Sequence, residues 1–139
     1  MIVLDASALL SLVNKEPGWE LVARQTVNQD ATVSAVNYAE VLQKANRIGV
    51  AAEDIDVLMD TLGLTVSPFS RLDARLAASF YRHRSGLSLA DRVCLALARS
   101  THQPRLHRRS AVGRLGPCLS GSRETPAVDL HHCRARLDS

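Results

Sequence analysis

Three acidic residues sit where carboxylates can do chemistry. Asp5 closes the apolar run IVL and opens the helical stretch ASALL. Glu40 lies inside VNYAEVLQKA, and Asp91 lies in GLSLADRVCLALA. Each has an ordinary structural reading. Asp5 can cap a helix by accepting its free backbone N–H groups, worth about 1 kcal/mol. Glu40 can face solvent and pair with Lys44 four residues on. Asp91 can complete a capping box with Ser88. One carboxylate oxygen can cap while the other holds a metal, so the structural and chemical readings coexist. Three carboxylates gathered at one rim would repel unless a cation joined them. Mg²⁺, or alternatively Mn²⁺, suits such an oxygen-only set and keeps waters for a phosphate-bearing substrate. The chemistry that follows is metal-assisted hydrolysis of a phosphodiester.

Those residues must be positioned by an ordered frame, and the hydrophobic pattern supplies one. Strands are expected at 2–4, 31–35 and 64–69. Helices are expected from ASALLSLV, from Trp19 to about Val27, and over 36–48, 52–62, 70–84 and 88–99. Pro17 suits a first helical turn, and Gly49 suits a C-terminal stop. Trp19, Leu21, Val22 and Val27 are read as one apolar side, and Leu72, Leu76, Ala77 and Phe80 as another. The order β-α-α-β-α-α-β-α-α implies an α/β fold, an open parallel sheet sandwiched by helices. Such sheets place ligands beyond the carboxyl ends of their strands, where Asp5 falls.

Composition narrows the class. At 139 residues the chain suits one domain. It has no apolar run long enough to span a bilayer. The start, MIVLDASALL, lacks the basic leader of a secretory signal. Cys94, Cys118 and Cys133 form neither a disulfide framework nor a zinc pattern. A cytoplasmic setting is expected. The net charge of +3 is unevenly placed. Residues 1–100 carry 10 Lys+Arg against 11 Asp+Glu, a net of −1, and residues 101–139 carry 7 Arg against 3 acids, a net of +4. The basicity is therefore no nucleic-acid footprint of the body.

The stretches IVLDASALL, VSAVNYAEVLQKA and GLSLADRVCLALA together resemble the PIN-domain nucleases, and within them the VapC-type toxins of toxin–antitoxin pairs. The resemblance covers residues 1–100. It implies an Mg²⁺-dependent endoribonuclease acting on RNA, a cognate antitoxin partner that blocks the acidic rim, and a homodimer. Carried across, Asp5, Glu40 and Asp91 are three of the family's four acids, and all three are implied as catalytic and metal-binding. Ser7 matches a small polar residue near the metal. The competing reading is a catalytically inactive remnant that still binds its antitoxin. A haloacid-dehalogenase-like phosphatase also begins strand-Asp, but it wants a second Asp where this chain has Ser7.

The family pattern continues with a strand and a segment like L-T-A-D-R-x-W, whose Asp is the fourth acid. Nothing of the kind follows Ser100. Residues 101–139 hold four of the five histidines and three of the five prolines, and no Ile, Phe, Tyr, Trp or Met. We read this tail as out of frame. LHRRSAVGRLG, 106–116, can be encoded so that a shift of one base yields F-T-A-D-R-P-W-A-A-L. A genuine basic extension is the alternative. The pattern DLHHCRAR, with His131, His132 and Cys133, fits no standard zinc spacing. The expected domain organisation is a C-terminally incomplete PIN domain over 1–100 and an atypical tail over 101–139. With its last strands missing, strand 1 would become an exposed edge, destabilising the product and promoting aggregation.

Overall fold

A computed structural model describes residues 1–106. Among them the order is β1 (Ile2–Leu4), α1 (Ala6–Asn14), α2 (Trp19–Asn28), β2 (Ala31–Ser34), α3 (Ala35–Asn46), α4 (Ala52–Thr61), β3 (Leu64–Ser67), α5 (Arg71–Ser79), α6 (Leu89–Ser100) and β4 (Arg105–Leu106). All strand pairings are parallel, in the sheet order β3-β2-β1-β4. The register sets Val3 opposite Thr32 and Arg105, and Leu4 opposite Val33 and Leu106. Parallel strands need long crossovers, and the helix pairs α1–α2 and α3–α4 supply them.

The short strands read as continuous apolar runs because both faces of the sheet are covered. Ile2, Leu4, Val33, Leu64 and Leu106 point into the larger core, with Leu9, Val22, Val41 and Ile55 from the helices. Val3 points the other way and packs on Cys94, Leu97 and Ala98 of α6. Phe80, Ala77, Val93 and Ala96 join α5 to α6. This period-two alternation along β1 fixes which side of the sheet α6 occupies. It also brings the first turn of α6 toward the carboxyl end of β1.

Three expectations are corrected. The first concerns the last strands. β4 follows Ser100 and pairs with β1, with the Val3 N–H donating to the Pro104 carbonyl (3.0 Å) and the Asp5 N–H to the Leu106 carbonyl (3.2 Å). β1 is therefore interior, flanked by β2 and β4, and the edge expected at β1 is covered. The described part of β4, Arg105–Leu106, is too short to show any periodicity in sequence. The second concerns α5, which stops at Ser79 rather than running to 84. The Phe80 ring tucks into the α5–α6 core, and Arg84 and Gly86 then take positive φ, which ends any helical continuation. The third concerns apolar faces: Val27 and Leu72 are 73% and 72% exposed, so neither joins the core expected of it. Pro17 precedes α2, whose N-cap is Gly18 at φ +94°.

The tail beyond Leu106 lies outside the described residues. So do Cys118, His131, His132, Cys133 and nearly all of the segment that a one-base shift converts to T-A-D-R.

Candidate active site

The site is built where β1 hands over to α1. Asp5 is the extended residue between them and the N-cap of α1. Its Oδ1 accepts from the Ala8 N–H at 2.9 Å and from the Ser7 hydroxyl at 2.8 Å. Ser7 thus supports the carboxylate expected to lie beside it. The cap fixes Oδ1 in place. Asp5 is only 2% exposed, a burial that a carboxylate tolerates when its oxygens are satisfied.

Asp91 arrives from the opposite side. Ser88 is the N-cap of α6, and its hydroxyl accepts from the Asp91 N–H at 3.0 Å. Asp91 Oδ2 in return accepts from the Ser88 N–H at 3.0 Å and from the Ser88 hydroxyl at 2.8 Å. The capping box locks the Asp91 side chain and directs Oδ1 outward from it.

Between these two carboxylates stands a residue that the sequence places in the basic tail. Arg105, the first residue of β4, places one guanidinium nitrogen, Nη2, 2.7 Å from Asp5 Oδ2 and 3.2 Å from Asp91 Oδ1. The side chain of Arg105 is 15% exposed. Its Nε is buried and has no partner among the described residues. The expected carboxylate repulsion is therefore relieved within the chain. Its signal in sequence is faint: a lone Arg after Pro104, inside a stretch rich in Arg.

Burial alone would lower the pKa of the Arg105 guanidinium, but Cys94, Asp5 and Asp91 together raise it above its ordinary value. Burial pushes the Cys94 thiol up to about 12, with Asp5 and Asp91 adding to the rise and Arg105 opposing it. At neutral pH the thiol is therefore protonated. It donates weakly to the Leu4 carbonyl (3.8 Å) and forms the apolar floor behind the acids rather than a nucleophile.

Glu40 takes the ordinary reading in this conformation. It accepts from Lys44 Nζ at 2.6 Å, an i,i+4 pair with side chains 31% and 49% exposed. The structure thus joins Asp5 and Asp91 through Arg105 and turns Glu40 to Lys44. Among the described residues, no three His, Cys, Asp or Glu side chains gather closely enough to hold a metal ion. The donor chemistry of the Asp5–Asp91 pair nevertheless fits a hard divalent cation: two carboxylate oxygens already converge on one positive charge.

The sequence matches the family model of the PIN domain over residues 2–108. A VapC ribonuclease of Mycobacterium bovis and ribonuclease VapC42 of Mycobacterium tuberculosis are each 30% identical over 118 residues, covering 77% of this chain and 89% of theirs. Two solved structures share the fold. One is Mycobacterium tuberculosis VapC20, a Sarcin-Ricin loop cleaving toxin, with a TM-score of 0.61, 18% identity, and coverage of 74% of this chain and 85% of that one. The other is a toxin–antitoxin complex from Klebsiella pneumoniae, with a TM-score of 0.63, 16% identity, and coverage of 79% and 88%. No helix among the described residues is long and apolar enough to cross a membrane.

Proposed function

The chain belongs to the PIN-domain family, and from that membership we propose that it is a divalent-metal-dependent endoribonuclease, the toxin half of a toxin–antitoxin pair. The observation that carries the reading is the convergence of Asp5 and Asp91 on a single cation at the carboxyl edge of the sheet. Asp5 and Asp91 are the residues that would hold Mg²⁺ or Mn²⁺, with Ser7 keeping Asp5 in its rotamer. A bound divalent ion supplies an activated water and stabilises charge on the leaving oxygen. The chain's own contribution is to hold both carboxylates rigid by backbone caps, so that little reorganisation is needed when charge develops.

Glu40 completes the proposed set as a third acid. It lies on the second turn of α3, directly beyond the carboxyl end of β2, and must leave Lys44 to join the others. The pair it leaves is partly exposed and worth about 0.3–0.5 kcal/mol, so Lys44 is a weak competitor. An RNA substrate, an antitoxin partner, a homodimer, a cytoplasmic setting and the division into catalytic body and Arg-rich tail belong to the same proposal, with β4 counted in the body. Resequencing codons 95–120 tests the out-of-frame origin of the tail: one surplus or missing base that restores a T-A-D-R segment is the expected result.

A second reading has its own observation. Arg105 fills the space between the acids, and no third acid joins them among the described residues. That arrangement favours an inactive remnant that keeps its antitoxin-binding surface. Incubating the full chain with structured RNA separates the two. Cleavage that requires Mg²⁺, stops with EDTA and is lost in Asp5→Asn supports the nuclease. Antitoxin binding without any cleavage supports the remnant.

A further inference from the structure

We propose that Arg105 is a built-in occupant of the cation position, an autoinhibitory contact that a divalent ion must displace before it can bind Asp5 and Asp91. The inference rests on the metal reading above and goes beyond it by assigning a role to a residue of β4. Two observations carry it. A single nitrogen, Nη2, contacts the outward oxygens of both acids, at 2.7 and 3.2 Å, while their other oxygens are held by backbone and hydroxyl donors. Arg105 thus bridges one oxygen of each acid. The contact is also imperfectly satisfied on the arginine side, because Nε is buried with no partner among the described residues. A buried donor left unpaired carries a cost that is relieved when the side chain moves to water.

The consequence is a competition. At low metal the guanidinium offsets one of the pair's two negative charges and ties β4 to the Asp5 and Asp91 side chains. The ion and the arginine exclude each other because both need Asp5 Oδ2 and Asp91 Oδ1. Metal affinity is then reduced in proportion to the fraction of molecules in which Arg105 has swung out. An open fraction of about 1–10% lowers the apparent affinity by about 10–100-fold.

The test is Mn²⁺ binding by the full chain, read by calorimetry and by the paramagnetic signal of the free ion, so that no RNA cleavage enters the readout. Arg105→Gln is expected to bind Mn²⁺ about 10–100-fold more tightly than the unaltered chain. Adding Asp5→Asn to Arg105→Gln is expected to abolish the gain. A folded Arg105→Gln with unchanged or weaker Mn²⁺ affinity overturns the proposal and leaves the metal reading intact, since both proteins still bind. A gain that survives Asp5→Asn also overturns it, because the ion then sits elsewhere. Absence of Mn²⁺ binding in both proteins overturns the metal reading itself. Should Arg105→Gln not fold, the unaltered chain decides: the Arg105 Nε–H resonance is expected to shift as Mg²⁺ saturates, and an unmoved resonance at saturation contradicts displacement.

Discussion

Helices α5 and α6 begin in the same way and end up with different work. Ser70 and Asp73 form a capping box, and so do Ser88 and Asp91, with nearly equal distances in the two boxes. Among the described residues, Asp73 finds its hydrogen-bond partners only within its own box. Asp91 spends one oxygen on its box and turns the other to Arg105, beside Asp5. The local chemistry of Ser-x-x-Asp is therefore indifferent to function. The difference lies in what the rest of the chain places opposite: solvent for α5, the carboxyl end of the central strand for α6.

The largest effect separating the two ends is expected at the partner carboxylate. Asp5→Asn keeps a cap on α1, since Asn caps as well as Asp, yet removes half of the acidic pair. RNA cleavage is expected to fall by about a hundredfold or more, beyond the roughly 10–100-fold of changes to residues outside the ligand shell of a metal, with the circular dichroism spectrum unchanged. The next effect is in packing. Leu4, fully buried beside the site, is expected to cost about 2–5 kcal/mol when cut to Ala, whereas the exposed Leu72 beside the α5 box is expected to change stability by less than about 0.5 kcal/mol. Chemical denaturation of both variants checks this.

A pH effect marks the α6 side. Burial first, then Asp5 and Asp91, raise Cys94 from its ordinary 9.0 to about 12. Because the folded value lies above the unfolded one, the protonated thiol favours the fold fully below about pH 9, and that contribution is lost as pH rises toward 12. Tyr38 adds to the same fall, since its hydrogen bond to Asp56 raises it from 10.0 to about 12. Melting temperatures measured from pH 8 to 11.5 are expected to decline, less steeply for Cys94→Ala. Smaller still, Ser70→Ala and Ser88→Ala are each expected to cost about 0.5–2 kcal/mol as lost caps, but only Ser88→Ala slows cleavage. Smallest is Glu40→Gln, which loses about 0.3–0.5 kcal/mol of surface pairing. A fall in its cleavage rate supports Glu40 as the third acid, and an unchanged rate removes it from the set.

The same contrast explains what was legible in the sequence. Strands β1 to β3 and the helices were visible because each carries an apolar run or a helical period long enough to count, and Ser88–Asp91 announced itself as a box. The end of α5 was misplaced because Phe80 is recruited by the core and not by its own helix. β4 was invisible, because the strand character of its described residues, Arg105 and Leu106, comes from pairing with β1. Arg105 was hidden for a related reason. Its role depends on Asp5, one hundred positions away, and its composition reads like the Arg-rich stretch after it. Glu40 was legible as a carboxylate on a helix, but its present partner is the bland one.

The most direct measurement compares the twin boxes: Mg²⁺-dependent cleavage of a structured RNA by the full chain, by Asp91→Asn and by Asp73→Asn. The account predicts that the two variants lose similar stability, that Asp73→Asn cleaves like the unaltered chain, and that Asp91→Asn does not cleave. Equal activity in both variants, whether retained or lost, would contradict it, because the second oxygen of Asp91 would then have no role beyond its cap.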